Sequence, residues 1–299
     1  MKVLISGGSG LIGRSITKEL INQNISVVHL TRNCNSISGV KTYEWDWEKG
    51  QIDTQCFKDV THIIHLAGAG IADKPWTMSR KRMIVKSRVH TARLLHAKVK
   101  ELEIPIKSFI SASGTGYYGA RTKDNIFKEN DTPYHDFIAE CCLQWEEAAD
   151  LFNANARVVK FRLGNVLNKD EGALPKLSSF IKKGIGSAIG TGKQYMPWIH
   201  LEDTVNLFVH AIKNEKMEGT YNAVAPDHQT NKEFTIELAK ALNKKIRVPN
   251  VPAFVLKTIY GELADILLYG SRVSADKLLN EGFDFKYKNL ESALTEIYH

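Results

Sequence analysis

Short apolar runs alternate with amphipathic segments through the first half of this 299-residue chain. Between the runs, apolar residues recur at helical spacing from about residue 11, from about 76 to 102, and over 136–149. No hairpin turn is expected between the strands, so the alternation predicts an α/β fold built on a doubly wound parallel sheet with helices on both faces. The apolar runs, interpreted as buried strands, cover residues 2–6, 25–30, 41–45, 61–68, 106–113 and 156–164.

The pattern changes after Gly164, where the chain becomes rich in Gly, Ser and Lys and loses clear periodicity. From Asn231 onward the spacing is again mainly helical. We therefore expect a first domain over residues 1–165, to which 195–225 return, and a smaller, mainly helical domain over 166–299. Ligands of open parallel sheets bind beyond the carboxyl ends of the strands, which places a substrate between the two parts.

Composition and charge narrow the class of protein. Hydrophobic residues make up 43% and charged residues 24%, as in ordinary globular domains. The net charge of +7 suits an anionic ligand such as a dinucleotide, or solubility alone, and no basic arm or tract favours nucleic acid. No apolar stretch approaches the roughly 20 residues that span a membrane. The four cysteines form no Cys-x-x-Cys pair, and the N-terminus is unlike a signal peptide, which together favour a reducing cytoplasm without disulfides.

The segment "GGSGLIG" follows the first strand and opens the first helix. Glycines at 7, 10 and 13 allow a tight turn, a close approach of backbone to a pyrophosphate, and close packing of helix on strand. The free N–H groups of the helix N-terminus attract phosphate. In this context the pattern predicts a Rossmann-type dinucleotide site.

The end of the second strand decides which dinucleotide we expect. A carboxylate about 20 residues after the glycine loop would hold the ribose of NAD. The chain has Thr31 and Arg32 at this position, and arginine pairs with a 2′-phosphate. NADP is therefore predicted over NAD.

Further motifs follow in order along almost the whole chain, among them "HLAG" at 65–68, "SASGTGYYG" at 111–119 and "PWIHLEDTV" at 197–205. With the glycine loop, they resemble the extended short-chain dehydrogenase/reductase superfamily. More narrowly, "CLQWE" at 142–146 and "VPAFVLK" at 251–257 resemble its epimerase-like subfamily, known as nucleoside-diphosphate-sugar epimerase or cell-division inhibitor types, whose C-terminal module has no known function.

The resemblance implies a set of cofactor contacts. The glycine loop would hold the pyrophosphate, Thr31 and Arg32 the adenosine end, and the end of the fourth strand would line the cofactor. Arg88 and Arg162 are similar to charged positions near NADP. A charge at the end of the apolar strand around Arg162 needs an anionic partner, which a neighbouring carboxylate would supply as well as a ligand. The expected cofactor residues are Gly7, Ser9, Gly10, Leu11, Ile12, Gly13, Thr31, Arg32, Leu66, Ala67, Gly68, Arg88 and Arg162.

Members of the superfamily transfer hydride with a Ser or Thr, a Tyr, and a Lys four residues after that Tyr. Ser113 occupies the expected serine position as a hydrogen-bond donor to substrate, but no tyrosine of this chain has a lysine four residues later. Three explanations stay open. Tyr117 or Tyr118 could be a substitute acid, a thiol of Cys141 or Cys142 could react, or the protein could bind NADP without turnover.

The remaining candidates receive simpler interpretations. His62 and His65 are expected on opposite faces of a strand, so no metal site is predicted, and His200 is expected to cap the next helix. Tyr195 and Trp198 could pack on a ring or sugar of the substrate. The sequence thus favours an NADP-binding oxidoreductase or epimerase-like protein acting on an unknown small molecule. The alternative is a non-catalytic NADP-dependent regulator, for example one linked to cell division, and a homodimer is left open.

Overall fold

A computed structural model describes residues 1–32, 39–122 and 124–299 of the protein. Its strands are β1 Lys2–Ser6, β2 Ser26–Thr31, β3 Lys41–Asp46, β4 Gln51–Ile52, β5 His62–His65, β6 Ser108–Gly114, β7 Ile126–Phe127, β8 Arg157–Leu163, β9 Asn165–Leu167, β10 Trp198–His200, β11 Gly219–Ala223 and β12 Arg272–Val273. Its α-helices are α1 Leu11–Asn22, α2 Met78–Glu101, α3 Phe137–Asp150, α4 Leu174–Lys182, α5 Leu201–Lys213, α6 Asn231–Ala241, α7 Ala253–Tyr260, α8 Asp265–Leu268, α9 Asp276–Asn280 and α10 Leu290–Tyr298.

Eight strands form one twisted sheet in the order β11-β8-β6-β5-β1-β2-β3-β4. All neighbours are parallel except β3 and β4, so the predicted doubly wound Rossmann-type architecture is confirmed. The expectation of no hairpin was wrong at this edge of the sheet. The Asp46 carboxylate accepts hydrogen bonds from the backbone N–H groups of Glu48 and Lys49, and Gly50 has φ +69°, which together close a tight turn between β3 and β4.

Alternating side chains of the strands bury both faces of the sheet. In β1, Val3 and Ile5 pack in one core with α1 and α5, whereas Leu4 packs in a second core with α2 and the end of α3. This period of two follows from the pleat of a strand and explains why the strands read as continuous apolar runs.

The C-terminal part is tied to the sheet region by specific contacts. Asp203, in the first turn of α5, accepts hydrogen bonds from the backbone N–H groups of Lys286 at 2.7 Å and Tyr287 at 3.0 Å. Strand β12 pairs in parallel with β7, and β11 pairs with β8 at the edge of the main sheet. The division near residue 165 stays a prediction. Within the described residues, no helix is both long and apolar enough to cross a membrane.

Candidate cofactor and active site

The carboxyl ends of β1, β5, β6 and β8 lie along one edge of the parallel sheet. The segments after these strands contain most of the predicted site residues: the glycine loop follows β1, Leu66 to Gly68 follow β5, and Ser113 ends β6. Parallel strands bring these ends together although those of β1 and β8 are 157 residues apart along the chain. A ligand crevice is expected at this edge.

The glycine loop has the close contacts that its sequence predicts. Gly7 has φ +78°, and a Cβ there would lie 2.8 Å from the carbonyl carbon of Leu66. A Cβ on Gly13 would lie 2.5 Å from the carbonyl oxygen of Gly7. A Cβ on Gly10, in contrast, would meet only the Gly7 oxygen, at 3.4 Å. A side chain at Gly7 or Gly13 would therefore clash with backbone atoms, whereas Gly10 has space around it that the protein itself does not fill.

The N-terminus of α1 is open. Gly10 is its N-cap and supplies no side-chain cap, and Ser9 and Gly10 are exposed, while Leu11 and Ile12 are half-buried. The first N–H groups of a helix have no partner within the helix and so can bind an anion. Arg14 stabilises the loop. Its guanidinium donates a hydrogen bond to the Ser9 carbonyl oxygen at 2.5 Å and forms an ion pair with the Glu171 carboxylate.

The predicted adenosine contacts lie at the end of β2. Thr31 is half-buried, and Arg32 is exposed and forms no ion pair with any residue that the structure describes. An exposed guanidinium at this place can bind a phosphate without first breaking an internal ion pair.

Arg88 lies against the end of β5. Its guanidinium donates to the carbonyl oxygens of Ala69 at 3.0 Å and Ile84 at 2.9 Å, and it stacks on the Trp145 ring at 4.9 Å. A Cβ on Gly68 would lie 3.0 Å from its central carbon. Within the described residues, Arg88 has no carboxylate partner and its Nε is buried without a hydrogen bond. Burial lowers its pKa, so an anion at this position would offset the cost of its charge.

Ser113 and Arg162 both meet the carboxylate of Glu146, on α3. Ser113 Oγ donates to Glu146 Oε1 at 2.7 Å, and Arg162 donates from Nε to Oε1 at 2.8 Å and from an η nitrogen to Oε2 at 2.9 Å. Only 4% of the Arg162 side chain and 6% of the Glu146 side chain are exposed. The anionic partner of Arg162 in this structure is therefore a protein carboxylate, the second of the two alternatives, and its cofactor contact stays a prediction.

The two tyrosines after β6 differ in how their hydroxyl groups are used. Tyr118 is fully buried, accepts a hydrogen bond from Arg162 at 2.9 Å, and is 2.6 Å from Asn222 Oδ1, to which it donates. Tyr117 stacks on the Arg162 guanidinium, 3.4 Å from ring centroid to central carbon, and 8% of it is exposed. Burial raises the pKa of both phenols, opposed by the charge of Arg162.

The face of α3 toward this loop is apolar. A Cβ on Gly116 would lie 2.9 Å from Ile138 and 3.7 Å from the Cys142 sulfur, so residues four apart on α3 face the turn after Ser113. Cys141 and Cys142 are buried, and burial raises the pKa of each thiol. This disfavours the hypothesis of a reactive thiol, since the thiolate is the nucleophile. Cys34 lies outside the described residues.

The other candidate side chains have structural partners. His200 accepts a hydrogen bond from the Glu202 N–H and caps α5, as predicted. His65 bonds to Ser6 Oγ at 2.7 Å, and the described residues contain no group of side chains suited to a metal ion. The expectation for Trp198 was wrong, because it is 0% exposed and fills the core between α4, α6 and α10, where no ligand can stack on it. Tyr195 is half-buried, 5.5 Å from the Arg272 guanidinium.

Glu146 is the main site residue whose role the sequence did not reveal. Two signals point to it in hindsight. A buried Arg162 requires a carboxylate, and Glu146 lies four residues after Cys142 on the buried face of α3. Asn222, on β11, was also missed, because it lies 104 residues after Tyr118 and reaches it only through the pairing of β11 with β8.

A family model for the NAD dependent epimerase/dehydratase family matches residues 3–223. The chain belongs to this family. A second model, for a domain of unknown function, DUF1731, matches residues 251–297. The resemblance inferred from the motifs is therefore confirmed for the superfamily and for the C-terminal module.

Relatives cover nearly the full length of the chain. An epimerase family protein of Mycobacterium leprae is 33% identical over 98% of this chain and 94% of its own length. The Arabidopsis thaliana protein named as a chloroplastic homolog of epimerase family protein SDR39U1 is 32% identical over 99% of this chain and 86% of its own. Among solved structures, human SDR39U1, crystallised with NADPH, is 28% identical, with a TM-score of 0.89 over 100% of this chain and 99% of that one.

Proposed function

We propose that the protein binds NADPH along the carboxyl edge of its sheet and uses it to transfer hydride to or from an unidentified small molecule. The observation that carries the proposal is the open glycine loop: Gly10 leaves unfilled space at an uncapped helix N-terminus. The human relative crystallised with NADPH supports the same choice of cofactor.

Different residues of this chain bind different parts of the cofactor. The N–H groups at the start of α1 bind the pyrophosphate, and Arg32 binds the 2′-phosphate of the adenosine ribose. The backbone from Leu66 to Gly68 lines the cofactor, and Arg88, which has no carboxylate partner among the described residues, binds beside it. When bound, NADPH supplies the hydride, and the protein residues bind, orient and exchange a proton.

A paired titration tests the choice of cofactor. Arg32→Ala should weaken NADPH binding by about tenfold to a hundredfold, because a hydrogen bond to a charged group contributes roughly 1.5–3 kcal/mol. NADH affinity should change little, since NADH lacks the 2′-phosphate. Arg93→Ala, at an exposed position on α2, is the matched control and should change neither affinity. An unchanged NADPH affinity in Arg32→Ala would refute the assignment.

A non-catalytic regulator is the second candidate, and one observation favours it. The hydroxyl groups of Ser113 and Tyr118 are both buried and donate to other protein groups. Screening a panel of carbonyl compounds and sugar nucleotides for NADPH oxidation separates the two functions. Tight NADPH binding without oxidation of any of them would favour the regulator.

A further inference from the structure

We propose that Tyr117 is the proton donor of this site, and that Arg162, held by Glu146, is the positioning residue that stabilises its phenolate. The inference rests on the proposed function, because Tyr117 can act as a proton donor only if the nicotinamide of a bound dinucleotide lies beside it. The Tyr117–Arg162 contact would then replace the missing tyrosine and lysine four residues apart.

Contacts of the three candidate hydroxyl groups single out Tyr117. Ser113 donates its proton to the Glu146 carboxylate, and Tyr118 donates its proton to Asn222 or to the Lys128 carbonyl. Tyr117 lies beside a guanidinium, which has no lone pair to accept a hydrogen bond. Within the described residues, the Tyr117 proton is therefore the one that stays available to a ligand.

Arg162 is fixed in place at the Tyr117 ring. Both oxygens of Glu146 accept from it, the Glu129 carbonyl accepts at 3.1 Å, and Tyr118 accepts at 2.9 Å. Four of its five N–H donors are engaged by these groups, and its central carbon lies 3.4 Å from the centroid of the Tyr117 ring. A cation held this close favours a phenolate over a phenol.

The charged groups around Tyr117 come from two elements. Arg162, on β8, contacts the ring directly and favours its ionisation, whereas the carboxylate of Glu146, on α3, opposes it by charge. The neighbouring Cys142 thiol, also on α3, stays neutral because burial raises its pKa. A phenol is protonated at neutral pH, and burial raises the pKa of Tyr117 further. Tyr117 is therefore suited to give up a proton, which matches the reduction of a carbonyl.

The proton and electrons balance in that reaction. NADPH gives a hydride to the carbonyl carbon, the Tyr117 O–H bond breaks, and its proton joins the carbonyl oxygen to form an alcohol. The products are the alcohol, NADP⁺ and a Tyr117 phenolate beside Arg162. The phenolate then regains a proton from water. In the reverse direction the phenolate takes the alcohol proton as hydride leaves.

The experiment measures the ionisation of Tyr117 without needing the substrate. The full chain is labelled with 3-fluorotyrosine, whose phenol ionises at lower pH, and the Tyr117 signal in the ¹⁹F NMR spectrum is assigned by its loss in Tyr117→Phe. The titration midpoint is then compared between the wild type and the double variant Glu146→Met with Arg162→Met, which removes the ion pair without leaving one charge buried. Lys160→Met with Asp150→Met removes a neighbouring pair between β8 and α3 and is the control.

In the double variant, the midpoint should rise by about one pH unit, because the direct contact of Arg162 outweighs the opposing charge of Glu146. The control should leave the midpoint unchanged. If the pair merely maintains the fold, its removal would expose Tyr117 and lower the midpoint toward that of free fluorotyrosine, which would overturn the proposal.

A second arm locates Tyr117 relative to the cofactor. Saturating NADP⁺ should lower the midpoint below its value with NADPH, because the oxidised nicotinamide ring is positively charged and the reduced ring is neutral. Equal midpoints with the two cofactors would place Tyr117 away from the nicotinamide and overturn its role as proton donor. If neither cofactor binds the wild type, the proposed function fails, whereas the variant comparison still reports on the Arg162 contact.

Discussion

Gly10 and Gly13, two glycines of the loop, should respond differently to substitution by Ala. At Gly10, the backbone has φ −76° and a Cβ would be 3.4 Å from its nearest neighbour, so Ala fits the protein alone. Its cost in stability should be less than about 1 kcal/mol, the usual difference between Gly and Ala at an N-cap. At Gly13, a Cβ would lie 2.5 Å from the Gly7 oxygen and 2.7 Å from the Gly8 Cα, which are backbone atoms with little freedom to move.

Overpacking in Gly13→Ala should lower the free energy of unfolding by about 1–3 kcal/mol. The better helix propensity of Ala should offset up to about 1 kcal/mol of this loss. At Gly10, the main effect of the substitution should be on ligand affinity. A methyl group on Gly10 would fill the space that we assign to the pyrophosphate and break a charge-assisted hydrogen bond of about 1.5–3 kcal/mol, lowering NADPH affinity roughly ten- to hundredfold.

Urea unfolding without cofactor and fluorescence titration with NADPH measure the two quantities. Gly10→Ala should lose less than about 1 kcal/mol of its free energy of unfolding while it loses NADPH affinity, whereas Gly13→Ala should lose both stability and affinity. Wild-type NADPH affinity in Gly10→Ala would refute the reasoning, because the space beside Gly10 would then not hold the cofactor.

Three further predictions concern stability and chemistry. Glu146→Leu should lower the free energy of unfolding by about 3–5 kcal/mol, because it leaves Arg162 charged and buried without its partner. In urea unfolding, the double variant Glu146→Met with Arg162→Met should recover most of this loss. A double variant less stable than Glu146→Leu would contradict the reasoning. The free energy of unfolding should fall as the pH drops from 6.5 to about 4, because burial lowers the pKa of several histidines to about 4. Between these pH values the unfolded chain binds more protons than the folded chain, so each histidine lowers the free energy of unfolding by up to about 1.4 kcal/mol per pH unit. The histidines are His29, His62, His65 and His200. Urea unfolding at pH 7, 6 and 5 checks this prediction, and a free energy of unfolding that does not change with pH would exclude it. A thiol-alkylating reagent followed by mass spectrometry should leave Cys56, Cys141 and Cys142 unlabelled in the native protein, and fast labelling of Cys142 would revive the thiol as a candidate nucleophile.

Local sequence patterns determined the parts of this protein that depend on neighbours along the chain. The strands and helices of the first half follow from the periodicity of buried side chains, and helix α2, expected from about Trp76 to Leu102, forms over Met78–Glu101 with Thr77 as its cap. The glycine loop was also predictable, because a strand, a turn and a helix that are contiguous in sequence set its geometry. His200 capped its helix for the same local reason.

Only the tertiary structure decided which side chains meet across the sheet. The sequence placed Ser113, Tyr118 and Arg162 near the ends of strands, but it could not show that Glu146 binds two of them or that Asn222 accepts from the third. Trp198 shows the same limit, since an aromatic residue in a glycine-rich loop gave no sign that three helices would bury it. The physical reason is that hydrogen bonds and burial depend on distance in space, and the parallel sheet brings together residues that are 16 to 104 positions apart.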